Sequence, residues 1–127
     1  MIYSVIAISI GAACGAILRW QAGIWLNGFC ALFPLGTLLV NIGGSLCIGV
    51  ATGVFQALPN ISPEWRLGIV TGFLGALTTF STFAAEMGTL LVQHKTGTAF
   101  LGMFVHVAGA LSAFLLGLWL WQILASR

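Results

Sequence analysis

The chain has 127 residues, 60% hydrophobic and 5% charged, with a mean hydropathy of +1.12 and a formal net charge of +2. Four Lys/Arg and two Asp/Glu cannot cover a water-facing surface, which in soluble domains takes roughly 25% charged residues, so a soluble globular protein is excluded. The charge is too small to point to nucleic acid, and the length suits one small domain, residues 1–127, made of a handful of spans of about 20 residues each.

The first predicted span runs from Ile2 to about Leu26, with Arg19 late in it. It has no basic segment ahead of it and is expected to be a retained helix rather than a signal peptide. Residues 27–34 form a turn region, and the second span is Leu35 to Leu58. "PNISPE", residues 59–64, is a loop with two prolines, where Ser62 is placed to cap a helix starting at Pro63. The third span runs from Trp65 to Val92. "QHKTG", residues 93–97, separates it from the fourth, Thr98 to Leu124, which ends in Trp119, Trp121 and Arg127 as interfacial anchors. Cys14, Cys30 and Cys47 are odd in number, lack metal-ligand spacing and read as small apolar packing residues. Gly11/Gly15, Gly49/Gly53 and Gly68/Gly72 are small-xxx-small pairs that let helices approach closely in lipid.

Four crossings put both termini on one side of the membrane. That side carries Arg66 and Arg127, and the other carries Lys95, with Arg19 in the half of its helix nearer to it. Orientation follows an imbalance of Lys and Arg near span ends, and here there is none. The expectation is insertion in both orientations and an antiparallel homodimer.

"GALTTFSTF", residues 75–83, puts four hydroxyls into an apolar run, and its Thr78 and Thr79 fall at the middle of the third span. Two structures fit. Either the helix is broken at the bilayer midplane, which needs burial in protein or a cavity, or it continues with its hydroxyls bonded one turn back. The other strongly polar residues share one half of the membrane. At 1.5 Å per residue, Arg19 lies about 7 Å from its span's centre, Asn41 about 8 Å, Glu86 about 11 Å and His106 about 7 Å, all toward the side opposite the termini. One subunit therefore holds half of a polar path, and an inverted second copy would supply the rest. Each residue also has a plainer role. Arg19 can snorkel to the interface, Glu86 can pair with Arg19 or Lys95, His106 can be a hydrogen-bonded core residue, and Asn41 can bond a neighbouring helix. Phe80 and Phe83 share a helix face and can simply pack.

The segments "GAACGAILRW" (11–20), "GTLLVNIGGSLCIG" (36–49) and "GFLGALTTFSTF" (72–83) resemble the small bacterial fluoride channels called Fluc or CrcB. The resemblance covers the first three spans; the fourth is similar mainly in length and hydrophobicity. Ala76 and Leu46 stand where the family commonly has glycine and phenylalanine. The resemblance implies an all-α membrane protein with four transmembrane helices per subunit and the third broken at the midplane. It implies an antiparallel, dual-topology homodimer in the bacterial inner membrane, with two pores that let cytoplasmic fluoride out passively. Asn41, Phe80, Phe83, Ser81 and Thr82 would line the pore, with Arg19, Glu86 and Thr37 at its vestibule. A structural sodium ion would be held by the backbone carbonyls of Gly75 and Thr78 from both subunits.

Fluoride is small, strongly hydrated and a strong acceptor, so a path for it must replace water with donors. Asn41 offers two N–H groups, Ser81 and Thr82 a hydroxyl each, and phenylalanine rings a positive edge. Arg19 stays protonated and raises the potential for anions. No nucleophile–base pair or phosphate loop points to an enzyme. The competing reading is a proton-coupled fluoride exchanger using Glu86 or His106. A small dual-topology drug exporter would need a carboxylate in the first helix, which is absent; a purely structural membrane protein would conduct nothing.

Overall fold

Four helices in the computed structural model are long and apolar enough to cross a membrane: Ile2–Phe29, Leu35–Ala57, Pro63–Val92 and Thr96–Ala125. Every residue is described except Ala31 and Arg127, so the anchor expected at Arg127 lies outside the described residues. Pro34, Pro59 and Pro63 all fall at span ends, where a missing N–H breaks no helical bond.

Helix α1 (Ile2–Leu26) runs into a 3-10 turn, Asn27–Phe29. Helix α2 (Leu35–Ala57) follows Pro34. The Gly36 N–H, an orphan of its first turn, donates to Asn27 Oδ1 at 2.8 Å. At the other end Arg66 Nη2 donates to the Phe55 carbonyl at 3.2 Å, and the guanidinium lies 5.3 Å from the Phe55 ring. Helix α3 covers residues 63–77: an α-helical turn Pro63–Arg66, a π-helical stretch Leu67–Leu74 and a closing turn Gly75–Leu77. Ser62 occupies the N-cap position, but its side chain makes no capping bond. Thr78 (φ −77°, ψ 155°) and Thr79 (φ −152°, ψ 116°) are extended, and α4 spans Phe80–Val92. The chain then reverses through residues 93–95, with His94 in the left-handed region (φ 58°) and the Lys95 N–H on the Leu90 carbonyl at 2.9 Å. Helix α5 is Thr96–Ala125, slightly longer than the sequence predicts at both ends.

The glycine pairs set the packing. A Cβ on Gly11 or Gly15 would run into the Gly68 and Phe73 carbonyls of α3, and one on Gly72 into the Ile8 carbonyl of α1. The same holds for Gly49 against the Phe114 carbonyl and Gly117 against the Leu46 carbonyl. Backbones therefore touch along α1–α3 and along α2–α5, as the small-xxx-small pattern predicts. Residue numbers rise together along both contacts, so the members of each pair run in the same direction. A small cluster of Val40, Leu74 and Leu77, backed by Ala22, Ile48, Ala51 and Phe73, joins α1, α2 and α3. The cysteines are free, and Cys14 and Cys47 are exposed on the single chain rather than packed inside it. In lipid an exposed small apolar residue carries no penalty, so interior packing was not required of them.

Candidate functional site

The extended pair Thr78–Thr79 is where the polar side chains gather. Both N–H groups of the pair and the Thr79 carbonyl find partners, whereas the Thr78 carbonyl loses its helical donor. In a continuous helix the Thr79 N–H would bond the Gly75 carbonyl, and the Thr82 N–H the Thr78 carbonyl. Here Thr79 N–H donates to Asn41 Oδ1 at 2.7 Å, and Thr82 N–H donates to Thr79 Oγ1 at 3.2 Å. Thr79 thus caps α4 with its own side chain, an ordinary N-cap. Asn41 Nδ2 returns a bond to the Thr79 carbonyl at 3.1 Å, so one amide clamps both backbone groups of Thr79. Thr78 combines an extended backbone with the alternative the sequence left open: its hydroxyl bonds back to the Leu74 carbonyl at 2.9 Å.

This changes the inventory of donors. One Asn41 N–H is engaged by Thr79, and Nδ2 also lies 3.5 Å from His106 Nδ1. Asn41 therefore does not present two free N–H groups. Thr79 Oγ1 donates to Thr82 Oγ1 at 3.1 Å and lies 3.3 Å from Ser81 Oγ. With Thr79 donating to Thr82, Ser81 must donate to Thr79, and the Thr82 hydroxyl proton is the one left for a ligand.

Phe80 and Phe83 lie on one face of α4 with ring centroids 5.5 Å apart, tilted at 54°. Phe80 is 77% exposed on the single chain and Phe83 8%. The Phe83 ring lies 4.7 Å from the ring of buried His106. Asn41, Thr79, Phe80, Phe83 and His106 line a cavity of about 370 Å³. On the other side of Thr79, a cavity of about 480 Å³ is lined by Arg19, Asn27, Thr37, Thr79 and Thr82. A third, of about 450 Å³, holds Thr82, Glu86, Gln93 and Lys95. Thr79 is shared by the first two cavities, and Thr82 by the last two.

Glu86 is paired with neither cation considered for it. Its Oε1 accepts from the buried Thr37 hydroxyl at 2.5 Å, and its buried Oε2 has no partner among the described residues. Thr37 on α2 lies level with Glu86 on α4, whereas Lys95 lies past the end of α4. The sequence placed Thr79 at the middle of the third span but left its side chain without a role, and it did not single out Asn27. Both act through contacts with residues on other elements or through local capping, and only the capping of α4 by Thr79 has a local signal.

Helices of this length and hydropathy, with polar side chains converging on a few cavities between them, define a multi-pass helical membrane protein. Within that class the chain belongs to the CrcB family: the family described as "CrcB-like protein, Camphor Resistance (CrcB)" matches residues 6–118. The match reaches well into α5, beyond the spans that carry the recognisable motifs. Among its relatives, "Fluoride-specific ion channel FluC" of Desulfovibrio desulfuricans is 52% identical over 118 residues, 93% of this chain and 92% of that protein. The proteins of the same name from Tolumonas auensis (52%, 93% of each chain) and Chromohalobacter salexigens (53%, 91% of this chain and 87% of that one) are equally similar.

Proposed function

We propose that this chain forms a fluoride-selective channel of the bacterial inner membrane that lets cytoplasmic fluoride out passively. The observation that carries the reading is 52% identity, over nearly the whole of both chains, to relatives named as fluoride-specific channels. The site fits it. The Thr82 hydroxyl proton, the paired phenylalanine edges and the Arg19 cavity together offer donors and positive potential without a strong fixed cation in the narrow part, so an anion is attracted and can still leave. The relatives are named as channels, which favours neither a proton-coupled exchanger nor an enzyme.

The working unit in this reading is an antiparallel, dual-topology homodimer of four-helix domains, residues 1–127, with two pores. Its support is the balance of Lys and Arg across the spans and the one-sided depth of the polar residues. Exposure of Phe80 on the single chain agrees, since a pore-lining ring needs a second wall. The third span is broken at the midplane at Thr78–Thr79 in this reading. A structural sodium ion fits the broken backbone. The Gly75 and Thr78 carbonyls have each lost their usual helical donor, to Asn41 and to Thr79 Oγ1. Carbonyl oxygens are hard ligands for a hard cation. Gly75 and Thr78 from two subunits would hold the ion, which when bound neutralises converging carbonyl dipoles.

The test is fluoride efflux from liposomes holding the purified protein, compared with chloride. Fast fluoride loss with chloride retained is expected. Equal loss of both ions, or none of either, would overturn the proposal.

A further inference from the structure

His106 is the buried titratable side chain that the channel reading leaves without a task. It is 4% exposed, on α5, and its Nε2 is buried with no partner among the described residues. What faces its other nitrogen is fixed by the clamp on Thr79. The Asn41 amide cannot turn over, because exchanging its oxygen and nitrogen would set N–H against the Thr79 N–H and oxygen against the Thr79 carbonyl. The nitrogen of Asn41 is therefore the atom 3.5 Å from His106 Nδ1. A donor facing Nδ1 favours a lone pair there, which is the neutral ring with its proton on Nε2.

The surroundings of the ring are otherwise uncharged. From α4 it meets the Phe83 ring, and from α2 Asn41. No Asp, Glu, Lys or Arg lines its cavity among the described residues. The charged group on the neighbouring face of α4 is Glu86, one turn past Phe83 and hydrogen-bonded to Thr37. Arg19 and Lys95 line the other two cavities.

We propose that His106 is a positioning residue for Asn41, and that protonating it releases the clamp on Thr79 and lowers flux. The neutral ring presents a lone pair to the Asn41 N–H. The imidazolium presents N–H to N–H, and a buried donor pair without an acceptor is unfavourable by the desolvation of both groups. Asn41 then moves away from Nδ1 and loses alignment with Thr79, whose position sets the start of α4 and hence of Phe80 and Phe83. Flux is full when the ring is neutral and falls as pH drops through its titration.

The flux part rests on the channel reading above, and the experiment separates the two. Full-length protein with 15N-labelled histidine, in lipid, gives the His106 tautomer directly, with exposed His94 as the reference. The proton on Nε2 at neutral pH is expected; a proton on Nδ1 would overturn the inference. Fluoride efflux is then measured at about pH 8 and at a lower pH where the 15N spectrum shows the His106 ring protonated; a ring that stays neutral down to about pH 4.5 would overturn the pH dependence. Protein-free liposomes at each pH are subtracted, to remove leakage of HF. The readout is the ratio of the two rates for wild type and for His106→Gln. Wild type should lose flux several-fold at the lower pH while the variant's ratio stays near one. Equal ratios would overturn the inference. Absence of flux at the higher pH would count against the channel itself, and the tautomer would then decide the role of His106 alone.

Discussion

Phe80 and Phe83 are neighbours on one helix face, yet their surroundings differ so much that the same substitution should read differently at each. Phe83 is packed against His106, whereas Phe80 touches little of its own chain. Replacing Phe80 with Ile is expected to cut fluoride flux strongly and leave thermal unfolding in detergent nearly unchanged. Replacing Phe83 with Ile should cut flux and also lower stability by about 1 kcal/mol, through imperfect refilling of a packed site. Wild-type flux in both variants would mean that the rings only pack. Asn41→Ala strips two backbone groups of their partner, each worth about 1–3 kcal/mol when buried, so a loss of about 3 kcal/mol is expected by thermal or denaturant unfolding. Depth in the span was enough to pick out Asn41, Glu86 and His106 from the sequence. Their partners were not legible, because Asn41 and Thr79 are 38 positions apart and Thr37 and Glu86 are 49. Charge pairing was the natural guess for Glu86, and a buried hydroxyl at the same level took its place.

Element boundaries were largely legible, since prolines and polar breaks punctuate an otherwise continuous apolar chain. The π-helical stretch Leu67–Leu74 was not, because its residues are ordinary helix and membrane formers and no single one demands the wider turn. The glycine faces were legible as pairs, and the structure shows which helices they join. Gly15→Leu and Gly117→Leu would force side chains into the backbones of α3 and α2 respectively, and loss of folded protein in size-exclusion chromatography is expected for both. Thr79→Ala removes the side-chain cap of α4, which should lower stability by about 1 kcal/mol. If the Gly75 and Thr78 carbonyls hold sodium, protein prepared without sodium should lose both thermal stability and flux, and regain them on adding it. Indifference to sodium and to every other cation would remove the ion from the proposal.

At the scale of the whole molecule, orientation is the feature that charge balance governs. Adding two or three Lys to the 59–64 loop should force one orientation and abolish flux, and a second copy with added charge in the 93–97 loop should restore it. Full flux from the first variant alone would rule out an obligate antiparallel pair. Cys30 offers a direct view of the same property. It lies past the end of the first span, and the backbone N–H groups of Phe33 and Leu32 hold its thiol below the usual range. Stabilising the thiolate makes it react faster than a free thiol near neutral pH. With Cys14 and Cys47 replaced by Ala, a membrane-impermeant thiol reagent should modify about half of Cys30 on intact cells if both orientations are populated. All or none modified would show a single orientation.

Two extended residues inside a membrane helix are usually thought of as a joint. Here the joint is tied: one amide side chain takes both backbone groups of Thr79, and the Thr79 hydroxyl takes the N–H of Thr82. In time rather than geometry, this means the Thr79 amide should exchange its hydrogen for deuterium as slowly as amides within the flanking helices, and far more slowly than those of the 59–62 loop. The corner then keeps its angle on the timescale over which many ions pass, and α4 behaves as a fixed wall rather than a swinging one.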